Sequence, residues 1–147
     1  TKEDIDKVRE LKLKKLRGLY QDEIQIFTPK KWTLEYDIAC SKLCNHIATA
    51  IKLAEIEGKG GSVDAEEFEE VKKQIESIGY EENNSKDAYT IFKPLNDSKV
   101  SKAITAQYLA SLLENEDNDT IKKILLTDPY MSYLVDAIKH VTSTHDE

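Results

Sequence analysis

The sequence contains only two cysteines and one tryptophan among its 147 residues. Two cysteines cannot build a disulfide framework, so we expect reduced thiols and a cytoplasmic location. No apolar stretch approaches the roughly 18 residues that a transmembrane helix needs, so a membrane is not an expected partner. The start of the sequence also has no charged and apolar leader with a small-residue cleavage site, because Thr1 opens a charged helical pattern. We therefore expect either a processed protein or a piece of a longer one.

Charge of one sign dominates the composition, with a formal net charge of −7 and an isoelectric point of about 5.1. This excess of carboxylates excludes a nucleic-acid footprint that covers the whole surface. Lysine and arginine are frequent in the first predicted helix, where a solvated face accounts for them most simply. A regulator that binds DNA through this basic helix is a weaker hypothesis, because no recognition-helix pattern accompanies it.

Hydrophobic periodicity predicts a predominantly helical chain of the α+β class. Residues 23–27 alternate polar with β-branched and aromatic residues, which indicates a strand that ends at Pro29. The next helix, 34–56, has the broadest apolar face, so we expect it to form the core. Residues 88–92, ahead of Pro94, are predicted as a short extended piece. The six predicted helices cover 2–20, 34–56, a segment between a capping box at Asp64 and a terminal Gly79, 99–114, 121–125, and a last segment that Asp128 caps with Pro129 as its first residue.

The predicted strand-to-helix junction, residues 27–39, contains more side chains suited to catalysis or metal binding than any other stretch. It combines hydroxyl, carboxylate and lysine side chains with the only tryptophan, Trp32, which we expect to pack there. Thr33 suits the N-cap position of the following helix, and Glu35 lies in its first turn. One interpretation of Glu35 and Asp37 is that both carboxylates complement the helix dipole and have no further role.

Two stretches resemble the OLD (overcoming lysogenization defect) family of ATP-powered nucleases. Residues 32–39 read Trp-Thr-Leu-Glu-Tyr-Asp-Ile-Ala, like the Ser/Thr-Leu-Glu turn that opens a helix in the TOPRIM nuclease domain of that family. Residues 98–110 read Ser-Lys-Val-Ser-Lys-Ala-Ile-Thr-Ala-Gln-Tyr-Leu-Ala and resemble its late Lys-x-x-x-Ala helix. The resemblance implies the last strand and helix of a TOPRIM-like α/β unit in residues 1–57. A helical C-terminal subdomain would follow in residues 58–147, which begin with a flexible Gly-Lys-Gly-Gly-Ser connection.

The resemblance also implies metal-assisted cleavage of a DNA phosphodiester. Carboxylates of such nucleases hold Mg²⁺ or Mn²⁺, and the ions activate water and stabilise charge on the phosphate. By resemblance, Glu35 and Asp37 are metal-site carboxylates, and the catalytic role of the Thr33 hydroxyl is either as a partner of Glu35 or as a group that positions water. Lys99 would contact the scissile phosphate, with Lys102 as the alternate. The implied partners are DNA, the remaining TOPRIM portion, an ABC ATPase portion that binds ATP, and a second copy of the chain in a homodimer.

The sequence departs from the family in the elements that should precede these motifs. No Gly-x-x-x-x-Gly-Lys-Ser/Thr motif occurs, so the ATP-binding domain does not lie in this chain. An earlier strand-borne glutamate and an Asp-x-Asp pair are also missing. Asp4 and Asp6 have the spacing of that pair but open a helix, while Asp117 and Asp119 lie in an acidic turn. We therefore expect the C-terminal part of a larger nuclease, which cleaves DNA only in the context of the full protein.

A function without a catalytic metal is the alternative. A non-catalytic helical module could use the acidic stretch 66–76 to engage a basic partner or to dimerise. A zinc cluster of Cys40, Cys44 and His46 is disfavoured, because no second pair of ligands follows at usable spacing. A lysine such as Lys99 at a predicted helix start is more often a surface residue than a catalytic one, although the free N–H groups there favour a phosphate.

Overall fold

The computed structural model describes residues 2–19, 27 and 29–143 of the chain. Among these residues all regular secondary structure is helical, which confirms a predominantly helical fold. The strand predicted over 23–27 falls on residues outside this set, apart from Phe27, which belongs to no helix or strand. The helices of the described residues are α1 (Lys2–Leu19), α2 (Leu34–Cys40), α3 (Cys44–Gly58), α4 (Ala65–Ile78), α5 (Ser85–Asn96), α6 (Lys102–Glu114), α7 (Asn118–Thr127) and α8 (Ser132–Ser143).

The core is built around α3, which packs against α2, α4, α5 and α6. Its small and branched apolar residues cover most of its surface, so the helix is buried on several sides. Ile47, Ala50 and Leu53 are almost completely buried. Burial of one large aliphatic side chain contributes roughly 1.5–3 kcal/mol to folding. The same hydrophobic cluster includes Phe92 of α5 and Met131 from the turn between α7 and α8, so it joins the two halves of the chain.

A short turn divides the second predicted helix into α2 and α3. The prediction of one continuous helix is wrong at this point, although both parts contribute to the core as expected. Ser41 accounts for the break, because its hydroxyl donates to the Ile38 carbonyl at 2.7 Å and accepts from the Leu43 N–H at 3.0 Å. A serine hydroxyl that satisfies nearby backbone groups competes with the helical hydrogen bonds.

Residues 88–92 are helical and form the centre of α5, so the prediction of an extended piece is wrong. The four buried positions of this helix follow the spacing of a helix face, and α5 packs against α2 and α3. Pro94 lies inside the helix near its end, where it removes one backbone donor without ending the helix. The buried positions are Ala88, Ile91, Phe92 and Leu95.

The fourth predicted helix begins three residues later than expected, because α6 starts at Lys102. The Ser101 hydroxyl caps it by accepting from the Ile104 N–H at 3.3 Å. Ser98 has a φ of 56°, in the left-handed region that does not continue a helix. Lys99 therefore lies in the turn between α5 and α6 and not in the first turn of a helix.

Asp128 does not cap the last helix, contrary to the prediction, since α8 begins at Ser132. The side chain is buried, and its two oxygens accept from the Tyr130 N–H and the Lys42 N–H, each at 2.9 Å. Pro129 consequently belongs to the turn between α7 and α8. We call this pair of hydrogen bonds the Asp128 clasp, because it joins that turn to the turn between α2 and α3.

The boundaries of α4 follow the predicted signals. The Asp64 carboxylate accepts from the Glu67 N–H at 2.9 Å, and Gly79 ends the helix with a φ of 67°. Glycine adopts this left-handed conformation without the steric penalty that other residues incur. The predicted helix over 121–125 lies within α7. None of the described helices combines the length and apolar character needed to cross a bilayer.

Candidate functional site

Thr33 caps α2, as its position in the sequence predicts. Its backbone is extended, with φ −128° and ψ 167°, and its hydroxyl oxygen accepts from the Tyr36 N–H at 3.3 Å. The Thr33 carbonyl accepts from the Asp37 N–H at 3.0 Å and begins the helical hydrogen-bond pattern. Residues two positions apart on a helix do not face each other. Because of this spacing, the side chains of Glu35 and Asp37 lie in different surroundings.

Glu35 meets Lys102, the first residue of α6. The Lys102 Nζ lies 3.1 Å from the Glu35 Oε1, and the exposed fractions of the lysine and glutamate side chains are 55% and 24%. A cation at the start of a helix faces the positive end of the helix dipole, which disfavours it. The Glu35 carboxylate offsets that disadvantage. The ion pair brings together two residues that the family resemblance singled out and that lie far apart in the sequence.

The charged form of Glu35 is favoured by its hydrogen bonds. Burial alone would raise the pKa of this carboxyl, but donors outweigh that effect and hold the pKa below its ordinary value. These donors are the backbone N–H of Glu35, the Lys102 ammonium and the Thr33 hydroxyl. Thr33 thus caps α2 and helps to lower the pKa of the neighbouring carboxyl. An ionised carboxylate with a hydroxyl beside it is a set of hard oxygen donors.

Lys99 lies apart from this pair. Its Nζ is 3.8 Å from the Asp97 Oδ2, and 74% of its side chain is exposed. Its position in the turn before α6 leaves it without a contact to Glu35 among the described residues. Of the two candidate lysines, the geometry places the alternate, Lys102, at the carboxylate.

Asp37 is completely buried beneath the turn that precedes α2. Its carboxylate accepts from the Lys30 N–H and, at 3.0 Å, from the Lys31 N–H. Burial raises the pKa of Asp37, although hydrogen bonds from these backbone groups and the nearby Arg9 guanidinium oppose the rise. Arg9 of α1 donates to the Pro29 and Lys30 carbonyls of the same turn. The oxygens of Asp37 are therefore used to organise this turn.

Tyr133 of α8 adds a polar group that the sequence did not indicate. Its hydroxyl is buried, and no described residue hydrogen-bonds it. Burial, followed by the negative charges of Asp37 and Glu35, raises the pKa of Tyr133 to about 12. The hydroxyl is therefore neutral at physiological pH. No sequence signal marks this tyrosine, because it lies within the apolar pattern of α8 and reaches the junction only through the fold.

Beside the ion pair lies an apolar groove of about 270 Å³ between α2, α3 and α6. Glu35 and Lys102 both line it, together with apolar residues such as Leu34, Ile38 and Leu109. An apolar wall excludes water and strengthens a neighbouring electrostatic contact, because the local dielectric constant falls. The ion pair therefore lies between a polar junction and an apolar surface.

The remaining candidate metal ligands are dispersed. Cys40 and Cys44 are buried free thiols, and burial raises the pKa of the Cys40 thiol to about 11. The His46 Nε2 lies 3.2 Å from the Glu116 Oε1, and Asp117 caps α7. Within the described part of the chain, no three His, Cys, Asp or Glu side chains are placed to hold a metal ion. A metal at Glu35 would need further ligands from beyond these residues.

Comparison of the chain with protein-family models, with curated proteins and with solved structures finds no match. The resemblance to the OLD family thus stays a prediction. The function proposed for this site depends on the geometry of Thr33, Glu35 and Lys102.

Proposed function

We propose that this chain is part of a divalent-metal-dependent DNA endonuclease of the OLD type, and that Glu35 and Lys102 belong to its active site. The observation that carries the proposal is the 3.1 Å contact between these two side chains. Each residue belongs to a separate stretch that resembles the family, and such stretches would have to meet in space to form one site.

Thr33 and Glu35 would hold a Mg²⁺ or Mn²⁺ ion at this site. The donor set fits such an ion in kind, because both side chains offer oxygen, but one carboxylate is too few for a complete site. The remaining carboxylates would come from the rest of the TOPRIM portion, and ATP would bind to an ABC ATPase portion. When bound, the metal would supply a polarised phosphate and an activated water.

Lys102 would contact the phosphate of the DNA substrate. More than half of its side chain is exposed, so its ammonium can exchange the Glu35 oxygen for a phosphate oxygen without entering the core. The free N–H groups at the start of α6 add to the attraction of an anion to this position. The Glu35 carboxylate keeps the ammonium in place while no phosphate is bound.

The proposed arrangement has residues 1–57 as the C-terminal part of a TOPRIM-like domain and residues 58–147 as a helical region. One hydrophobic cluster includes residues from both parts, for example Ile47 and Phe92. The boundary at 57 therefore separates two parts that only the family resemblance distinguishes. The two parts pack together around α3. The site takes Glu35 from the first part and Lys102 from the second.

Nicking of supercoiled plasmid by the full-length protein, with Mg²⁺ or Mn²⁺ and ATP present, tests the proposal. We expect Glu35→Ala and Lys102→Ala each to lower the rate on the order of 100-fold, the scale found when one group that stabilises transition-state charge is removed. Lys99→Ala is the matched control and should leave the rate within about threefold. Unchanged nicking in Glu35→Ala would overturn the site, and a loss in Lys99→Ala alone would transfer the phosphate contact to Lys99.

A non-catalytic interaction module is the second candidate, and the surface of α4 favours it. Glu66, Glu69, Glu70 and Glu76 are exposed on this helix, so it offers several carboxylates to a basic partner or to a second copy of the chain. Such a module needs no metal. Titration calorimetry of the full-length protein that shows no heat of Mg²⁺ or Mn²⁺ binding would favour this candidate.

A further inference from the structure

A cavity of about 560 Å³ lies beside the start of α2, and the proposed metal site does not use it. Its walls come from the turn before α2, from α2 itself, from the start of α5 and its preceding loop, from the turn between α7 and α8, and from α1. Small-molecule sites are commonly about 300–1,000 Å³, so one nucleotide fits this volume. The residues on which the binding chemistry depends are Lys31, Trp32, Tyr36, Asn83 and Tyr130.

Two aromatic side chains of the cavity wall are held in fixed positions. The rings of Trp32 and Tyr36 lie edge to face with centroids 5.6 Å apart, and the buried Phe92 contacts both, at 5.1 Å and 5.7 Å. Both rings are half-buried, so part of each is left to the cavity. Aromatic side chains of this kind provide platforms on which nucleobases stack.

Asn83 is held in a strained backbone conformation at the same cavity. Its φ of 58° lies in the left-handed region, and its N–H donates to the Cys40 carbonyl at 2.7 Å. The Tyr130 hydroxyl donates to the Asn83 Oδ1. With the side-chain oxygen used in this way, both hydrogens of the amide nitrogen remain for a ligand. Backbone strain that surrounding contacts maintain is found preferentially at binding and catalytic sites.

The charged groups at the cavity are of both signs, and the lysines among them can receive a phosphate. Lys31 lines the cavity, and the Lys30 ammonium lies 5.4 Å from the ring centroid of Tyr130, so two cations stand on this side. Asp6 is the one carboxylate among the described lining residues. Lysine binds a phosphate as a point charge, while a carboxylate can accept from the amino group of a base.

We propose that this cavity binds one unpaired nucleotide of a DNA strand, with its base against Trp32 and Tyr36, a base carbonyl on the Asn83 amide and its phosphate near Lys31. The choice of DNA rests on the proposed nuclease function. A base in a duplex would have to leave its stack to reach the cavity, which costs free energy. The substrate at this position is therefore single-stranded DNA or a frayed end.

Trp32 is the only tryptophan of the chain, so its fluorescence reports on the cavity directly. The experiment titrates the 147-residue chain with a single-stranded oligodeoxynucleotide, with a fully abasic strand of the same length and with a blunt duplex, in EDTA to exclude cleavage. We expect the single strand to quench Trp32. The abasic strand and the duplex should bind on the order of tenfold more weakly, because base stacking is lost.

Two variants test the polar contacts without removing the reporter. Asn83→Gly deletes the amide at a position where glycine tolerates the backbone, and Lys31→Gln deletes the charge. Each should weaken binding of the single strand about tenfold, while Lys73→Gln, at an exposed position of α4, should leave it unchanged. Equal binding of the abasic and intact strands, absence of quenching, or unchanged affinity in both variants would overturn the proposal.

The outcome of the fluorescence titration can be distinguished from the outcome of the nicking assay, because the titration involves no metal and no cleavage. Quenching by single strands together with unaltered nicking in Glu35→Ala would retain the nucleotide cavity and reject the metal site. Loss of nicking in Glu35→Ala without quenching of Trp32 would do the reverse.

Discussion

Two carboxylates in the first turn of α2 have opposite pKa shifts because the balance between burial and hydrogen-bond donors differs between them. Burial raises the pKa of Glu35, but hydrogen bonds from its own backbone N–H, the Lys102 ammonium and the Thr33 hydroxyl outweigh that effect, so its pKa falls. Asp37 is completely buried, and burial outweighs its backbone hydrogen bonds, so its pKa rises. At this scale, the surroundings of each side chain decide the direction of its pKa shift, and the spacing in the sequence does not.

The lowered pKa of Glu35 predicts a specific dependence of stability on pH. Its contribution is fully present above the ordinary value of 4.5 and is lost as the pH falls through the folded-state pKa. We therefore expect Glu35→Gln to lower the free energy of unfolding at neutral pH and to lessen its acid-induced decrease below about pH 5. Urea unfolding at a series of pH values, followed by Trp32 fluorescence, measures both effects.

The opposite shift of Asp37 is present in both proteins and cancels in this comparison. Asp119→Asn, at an exposed position of α7, serves as the control and should reproduce the wild-type profile. Parallel pH profiles for the wild type and Glu35→Gln would show that the contact with Lys102 does not stabilise the fold.

At the scale of elements, α3 determines the fold because neighbouring helices on several sides depend on it. Leu53 of this helix has no exposed surface. We expect Leu53→Ala to lower the free energy of unfolding by about 2–5 kcal/mol, since transfer and cavity terms add. Leu126→Ala is the matched control, because 55% of that residue is exposed, and it should change stability by about 0.5 kcal/mol or less. Urea denaturation, with the same m value for all three proteins, would measure the difference in the free energy of unfolding. Equal losses of stability in the two variants would contradict the assigned core.

Local signals predicted some helix boundaries and missed others for physical reasons. Asp64 and Gly79 satisfy backbone groups within their own turns, so α4 could be read from the sequence. The break after α2 depends on the Ser41 hydroxyl. In the sequence alone, a serine at this position is equally compatible with a continuous helix. In α5, Pro94 suggested an extended segment, but packing of the apolar face against α2 and α3 favoured the helix.

Only the part of the candidate site that belongs to α2 could be predicted from the sequence. Thr33 and Glu35 follow from the cap and first turn of one helix, which are local features. The partner lysine was a choice between Lys99 and Lys102, and only the start of α6 places one of them at the carboxylate. Tyr133 comes close to Glu35 and Asp37 through the packing of α8. No local sequence pattern predicts this placement.

On the scale of the whole molecule, the described helices around α3 share one hydrophobic cluster across the proposed boundary at residue 57. We therefore expect a single cooperative unfolding transition. The midpoint in urea followed by Trp32 fluorescence should coincide with the midpoint followed by far-ultraviolet circular dichroism. Trp32 reports the α2 junction, whereas dichroism reports all helices. An earlier fluorescence transition would mean that the first part unfolds independently.

The Asp128 clasp has a consequence for the order in which the chain folds during synthesis. The turn between α2 and α3 is made early, but the Lys42 N–H finds its acceptor only on a residue 86 positions later. Met131, which completes the buried cluster, also follows that position. The other buried residues of the cluster, apart from Tyr130, lie between Ile38 and Val100, so most of the core precedes this turn in the sequence. A chain without Asp128 and Met131 would therefore leave the Lys42 N–H without this acceptor and expose apolar surface of the cluster, and exposed apolar surface favours aggregation of incompletely folded chains.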